Sequence, residues 1–197
     1  MSGRLGTVLL ALALLSAPAR ASPLLVNKGE APPLPAWSVF CGERPDECTT
    51  DPSQPDTLVG TPELLELLDA VNRRVNRTVL PVRDIDARGV IDRWEYPPDG
   101  RGDCEDIQLL KRKYLVEAGV PRRALLMTVV LDGRGDGHAV LTVRTAREDL
   151  ILDNLSDEIR RWDQTGYTFI KREAPTPTGW AFVEQAPEPP VMTAAAR

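Results

Sequence analysis

The chain has 197 residues, enough for one domain with a proper core and short for two. Acidic residues outnumber basic ones, 29 to 24, for a formal net charge of −5. The arginines are interspersed with acids rather than gathered into a stripe, so nucleic acid is excluded as the expected partner.

The first 21 residues read as a secretory leader: Arg4 is the positive start, Val8 to Leu15 the short apolar core, and Ala19-Arg20-Ala21 the cleavage site before Ser22. That apolar run falls well short of the ~20 residues that span a bilayer. The mature chain is therefore expected to be periplasmic or secreted, with no membrane span. Residues 22–60 are rich in proline and lack sustained periodicity, which predicts an extended arm pinned by Trp37, Phe40 and a loop between Cys41 and Cys48. In an oxidising compartment that Pro-containing loop suits a local disulfide. A metal site on the same pair would need two more Cys or His ligands, and the N-terminal half offers only Cys104.

Thr61-Pro62-Glu63 predicts the start of a helix: a capping hydroxyl, proline in the first turn, and an acid near the positive end of the dipole. Leu64, Leu67, Leu68, Val71 and Val75 form its apolar stripe. Residues 78–101 read as irregular, with a turn at Pro97-Pro98-Asp99-Gly100. A second helix is predicted from about Cys104 to Ala118, with Asp103 as N-cap, Gly119 past its end and Pro121 blocking continuation. Ile107, Leu110, Tyr114 and Ala118 share one face of it. Strands follow at Leu125 to Leu131, Ala139 to Val143, Leu150 to Leu152, Tyr167 to Lys171 and Trp180 to Val183. The Pro/Ala-rich tail, residues 186–197, is expected to be disordered. Helices followed by a run of strands give an α+β domain over 61–185, with an antiparallel sheet.

The chemistry centres on three residues. With Cys41 and Cys48 paired, Cys104 is a leftover thiol at a helix N-terminus, where free N–H groups and the macrodipole favour a thiolate. The polar run Gly102-Asp103-Cys104-Glu105-Asp106 is a poor setting for a buried structural cysteine. His138, the single histidine, follows a glycine-rich turn and opens an alternating strand, on the same side as Val140 and Thr142. If 138–144 and 149–153 close a hairpin around Thr145-Ala146, Asp153 lies opposite His138, where cross-strand Cβ atoms are ~4.5–5.5 Å apart. A one-residue slip would place the two on opposite faces, and Asp153-Asn154 also suits a plain strand end. Nucleophile, base and orienter are then all present, and an oxyanion would be held by the Cys104 N–H plus a second donor, with Trp94 and Gln108 as candidates.

In this order, Gly102-Asp103-Cys104-Glu105-Asp106, Gly137-His138-Ala139-Val140-Leu141 and Ile151-Leu152-Asp153-Asn154-Leu155 resemble the bacterial transglutaminase-like cysteine proteinases of LapG type. So do Val71-Asn72 to Asn76, Asp92-Arg93-Trp94 and Phe40-Cys41 to Cys48, and the resemblance runs over about residues 37 to 184. It implies a papain/transglutaminase-like fold, with Cys104, His138 and Asp153 as a catalytic triad. The best-understood members are periplasmic, calcium-dependent proteases that clip surface adhesins near paired alanines. The resemblance therefore implies calcium at Asp103 and Glu105, two carboxylates against the six to eight oxygens calcium usually takes. An N-cap Asp103 and a first-turn Glu105 explain the same residues without metal. The Pro-Pro-Asp-Gly turn before the cysteine departs from the adhesin-cleaving members, so that substrate does not carry over.

Three readings follow. An endopeptidase acting on cell-envelope proteins or peptides, as a monomer, comes first; transfer of the acyl group to an amine, as in a transglutaminase or amidase, shares its first half. A non-catalytic periplasmic binding protein on the same fold is the third, and an unreactive Cys104 would favour it.

Overall fold

The computed structural model describes residues 24–176 and 179–184. The stretch read as a secretory leader and the 186–197 tail lie outside the described residues. Seven strands form one sheet: β1 (Val26–Glu30), β4 (Leu125–Leu131), β5 (Gly137–Arg144), β6 (Asp149–Leu152), β7 (Arg160–Arg161), β8 (Thr168–Glu173) and β9 (Trp180–Glu184), in the order β1-β9-β8-β4-β5-β6-β7. Every pairing within it is antiparallel. A two-strand parallel sheet joins β2 (Leu80–Pro81) to β3 (Arg101–Gly102). The helices are α1 (Pro35–Glu43), α2 (Pro45–Cys48), α3 (Pro62–Thr78), α4 (Asp84–Ala87) and α5 (Cys104–Glu117). Among the described residues no helix is long and apolar enough to cross a membrane.

Strand alternation decides which side chains meet. Leu125 and Met127 of β4, Leu141 and Val143 of β5, and Leu150 and Leu152 of β6 face the helices, joining Ile107, Leu109 and Leu115 of α5 and Leu68, Val71 and Val75 of α3. On the other face Val130, Val140, Ile151, Trp162, Phe169 and Val183 make a smaller cluster with Leu25. Thr61 caps α3 as its sequence predicts, its Oγ1 accepting from the Leu64 N–H at 3.3 Å.

The arm is not extended throughout, as its prolines suggested. It adds β1 to the sheet edge against β9 and folds back as α1 and α2. Two buried ion networks hold it. Arg172 pairs with Asp149 at 2.8 Å and donates to Leu25 O and Asn27 Oδ1, while Glu173 accepts from Arg112, Arg122 and the Trp37 indole. Phe40, 1% exposed, stands edge-on to Tyr96, and Cys41 and Cys48 are joined as a disulfide.

The apolar face of α5 also differs from its predicted stripe. Leu110 and Tyr114 are only half-buried and Ala118 is exposed, while Asp106, Gln108, Lys111 and Arg112 are each at most 1% exposed. Periodicity of apolar residues missed this because α5 lies between the sheet, α3 and the arm, so polar side chains on several of its sides are buried as well. Residues 78–101, read as irregular, contain β2 and α4, and their pairing with β3 builds one wall of the site described next.

Candidate active site

Cys104 is the first residue of α5, and three local features place it there. Gly102 ends β3 where a Cβ would lie 2.7 Å from the Asp106 Cβ, so the chain can fold into the helix only without a side chain at that position. Asp106 turns inward and its Oδ1 accepts from the Glu95 N–H at 2.8 Å, which ties down the preceding loop. Pairing of β2 with β3 sets Pro81, Val82 and Arg83 beside the cysteine as a cleft wall.

His138 is the second residue of β5 and Asp153 directly follows β6. The ring Nε2 lies 2.8 Å from Asp153 Oδ1. The pair forms by a different register from the one the hairpin predicted. Leu141 pairs with Leu152 and Thr142 with Ile151, so the residue directly opposite Asp153 would be Val140 and not His138. The loop centre is shifted by one residue because Thr145 Oγ1 accepts from the Arg147 and Glu148 N–H groups and donates to the Glu148 carbonyl, a local turn around Ala146-Arg147. This moves the register by two, which keeps face parity. His138 and Asp153 then meet as diagonal neighbours, within reach of an imidazole.

Asp153 is 5% exposed and accepts from two further donors: Tyr167 Oη–H at 2.5 Å on Oδ2, and the Leu155 N–H at 3.0 Å on Oδ1. Burial alone would raise its pKa, but the bonds from His138 and Tyr167 bring it below the usual aspartate value. Tyr167 also stands edge-on to the imidazole, ring centres 5.7 Å apart. The sequence marks Tyr167 only as the start of a strand; the neighbourhood that makes it a site residue comes from sheet order. With Nε2 held by the carboxylate, Nδ1 is the ring nitrogen left to take a proton. Cys104 and His138 line one open cleft of about 240 Å³, with Pro81, Val82 and Arg83 on one wall, Asp132, Arg134 and Asp136 on another, and Asn154 and Leu155 beside them.

The thiol is not lowered as the helix N-terminus predicts. Burial pushes Cys104 well above the usual thiol value, and the neighbouring carboxylates of Glu105 and Asp103 push the same way, outweighing the Ala139 N–H. Sγ–H donates to Glu105 Oε2 at 3.1 Å. Burial and Asp103 raise Glu105 itself to about 9.

Asp103 occupies the N-cap position of α5 but its side chain makes no capping bond. One oxygen instead accepts weakly from the Asp84 N–H at 3.4 Å, and the other, Oδ1, is buried without a donor. Asp84, Asp103 and Glu105 each bring a carboxylate oxygen within 4.8 Å of the others. Asp84, 2% exposed, was invisible in the sequence as a member of this group; it lies in a stretch with no metal-ligand spacing, and only the β2–β3 pairing brings it to the cysteine. The buried Asp103 Oδ1 without a donor, among three carboxylates, fits a hard divalent cation, which takes oxygen ligands.

Neither oxyanion candidate lines the cleft. Trp94 is 5% exposed and packs edge-on to Trp180 in the core, 6.3 Å between ring centres. Gln108 is fully buried one turn along α5, where its Nε2 donates to Asn154 Oδ1 at 3.1 Å.

A family model described as bacterial transglutaminase-like cysteine proteinase matches residues 27–188. No curated protein matches. Among solved structures, calcium-bound LapG of Legionella pneumophila is 26% identical, with a TM-score of 0.53, covering 63% of this chain and 71% of its own. The EGTA-treated form of that protein is equally similar, at 26% identity and a TM-score of 0.53, covering 64% and 70%. The mixed helix and antiparallel-sheet fold expected from the sequence thus agrees with both comparisons. With most of its length matched, the chain belongs to the bacterial transglutaminase-like cysteine proteinases.

Proposed function

We propose that this proteinase is an exported endopeptidase working through Cys104, His138 and Asp153. The observation that carries the reading is the His138–Asp153 bond of 2.8 Å in a cleft shared with a cysteine at a helix N-terminus. In the reaction His138 Nδ1 takes the thiol proton and Sγ attacks a peptide carbonyl. The Cys104 N–H stabilises the resulting oxyanion, and collapse expels the amine with the proton returned from His138. Water, activated by the same imidazole, releases the acyl-enzyme. Asp153 stays ionised throughout, fixing the tautomer and stabilising the imidazolium.

The leader-like Arg4 to Ala21 and the Cys41–Cys48 disulfide support action outside the cytoplasm; there the protein would act as a monomer on protein or peptide substrates of the cell envelope. Asp84, Asp103 and Glu105 are the residues that would hold calcium, with main-chain oxygens and water completing its shell. When bound, such a cation supplies positive charge that offsets the three carboxylates beside the thiol. That LapG has been solved calcium-bound and EGTA-treated supports a calcium ion for this fold.

The test is iodoacetamide labelling of the purified protein across pH, with and without calcium, followed by peptide mapping. Rapid labelling confined to Cys104, extending below pH ~8 and lost in His138→Ala, is expected of an activated thiol. An ordinary free-thiol profile under both conditions would refute it and leave a binding protein on this fold.

A further inference from the structure

Behind the site, the turn that follows Asp153 is gripped by amides from two helices. Asn72 Nδ2 of α3 donates to the Ser156 and Asp157 carbonyls, both at 3.1 Å. Asn76 Nδ2, one helical turn on, donates to the Asp153 carbonyl at 2.9 Å, to the Ser156 carbonyl and to Asp157 Oδ1. Gln108 Nε2 of α5 donates to Asn154. Each amide gives its NH2 to the turn, and in each the oxygen is left buried with no donor: Asn72 Oδ1, Asn76 Oδ1 and Gln108 Oε1.

Lys111 lies three residues beyond Gln108 on α5, on the same side of the helix, and is 0% exposed. Its Nζ is likewise buried without a partner. Three acceptors lack donors, and one group carrying three donors lacks acceptors. Buried polar atoms rarely stay unsatisfied, and Lys111 feels Asp153 and Asp157 of the very turn those amides hold, so a buried cation and buried acceptors around one turn call for bridging water.

We propose that Lys111 is a positioning residue whose buried ammonium, joined through water to the oxygens of Asn72, Asn76 and Gln108, fixes those amides with their NH2 groups toward the turn and so holds Asp153 behind His138. A flipped amide would face the turn's carbonyls with its own oxygen, and the ammonium makes that flip costly because it would then confront NH2 groups. The charged groups around Lys111 are consistent with this role. Asp153 and Asp157 of the turn attract the ammonium; Arg73 of α3 offsets Asp157, and His138 and Tyr167 are bonded to Asp153. Burial lowers Lys111 to about 7, with the two aspartates acting against it. The catalytic consequence rests on the peptidase reading; the structural one does not.

The single histidine makes the test selective, in untagged or non-histidine-tagged protein. A carboxylate-bound imidazole N–H gives a far-downfield proton resonance in NMR, here assignable only to His138. The expected result is that this signal, present in the parent protein, is lost or broadened by exchange in Lys111→Met. Lys111→Gln, which keeps a donor, should restore part of it. Alkylation of Cys104 should slow about ten- to a hundredfold in Lys111→Met, the scale of a small displacement of a catalytic group. An unchanged histidine signal in folded Lys111→Met overturns the proposal whatever the alkylation rate. Loss of Cys104 reactivity in the parent protein would instead sink the peptidase reading and leave the histidine signal informative. Should Lys111→Met fail to fold, the parent decides: Lys111 Nζ must show slowly exchanging protons near pH 6 and titrate well below 10.5, and a surface-like titration near 10.5 refutes the idea.

Discussion

Glu173→Gln should destabilise the protein by far more than a neutral, isosteric change suggests. Glu173 is 5% exposed, and its carboxylate accepts from four donor groups: Trp37 Nε1 at 3.0 Å, Arg112 Nη1 at 2.9 Å, Arg122 Nη2 at 3.2 Å and the Met127 N–H at 3.0 Å. An amide has one acceptor oxygen, so at least one of these donors would face an NH2 group, and two buried guanidinium groups would lose their shared counter-charge. Removing one partner of a buried ion network costs about 3–5 kcal/mol. At about 2–4 °C per kcal/mol for a domain of this size, Tm should fall by roughly 6–20 °C. The assay is thermal unfolding by circular dichroism, with urea melts to check that the m value is unchanged.

The pH dependence gives a second check on the same variant. Burial alone would raise the Glu173 pKa, yet Arg112 and Arg122 hold it below the ordinary 4.5. A depressed acid contributes its stability above the unfolded value and loses it as pH falls through the folded one. The gap in Tm between parent and variant should therefore be full at pH 7 and shrink below pH ~4.5. A fall in Tm under about 3 °C at pH 7, or a gap that grows on acidification, would refute the view that this network anchors the arm.

Asp153→Asn should leave Tm within a few degrees but lower turnover by about 10³–10⁴-fold, as loss of the orienting carboxylate does in comparable triads; near-parental turnover would remove Asp153 from the mechanism. Calcium at about a hundred times its Kd should stabilise the protein by ~2.7 kcal/mol, read as a rise of roughly 5–11 °C in Tm that EGTA reverses. In Asp84→Asn that rise should be lost, and its persistence would place the cation elsewhere.

The cysteine block was readable because its chemistry is local: a helix start, a thiol at it, and acids on either side lie within five consecutive residues. Gly102 belongs to the same block for a reason only packing shows, the 2.7 Å approach of Asp106. The His–Asp pair was readable in kind and not in detail. Alternation puts Asp153 on the side of His138 only in registers of one parity, and the Thr145 turn moved the register by an even step of two residues. Parity survives an even shift, which is why the pair still forms.

Local propensity and residue order thus determined the two main helices, the antiparallel hairpin after them, the leftover thiol and its family. Tertiary structure decided whatever depends on long-range neighbours. It brought Asp84 to Asp103 and Glu105 through the β2–β3 pairing, put Tyr167 on Asp153, and buried Lys111 behind the turn. It also set burial and two neighbouring acids against the helix N-terminus at Cys104, an opposition that the proposed cation would offset. A helix N-terminus favours a thiolate only weakly and over one turn, whereas burial beside two carboxylates opposes it in a low-dielectric setting, where charge interactions are strongest.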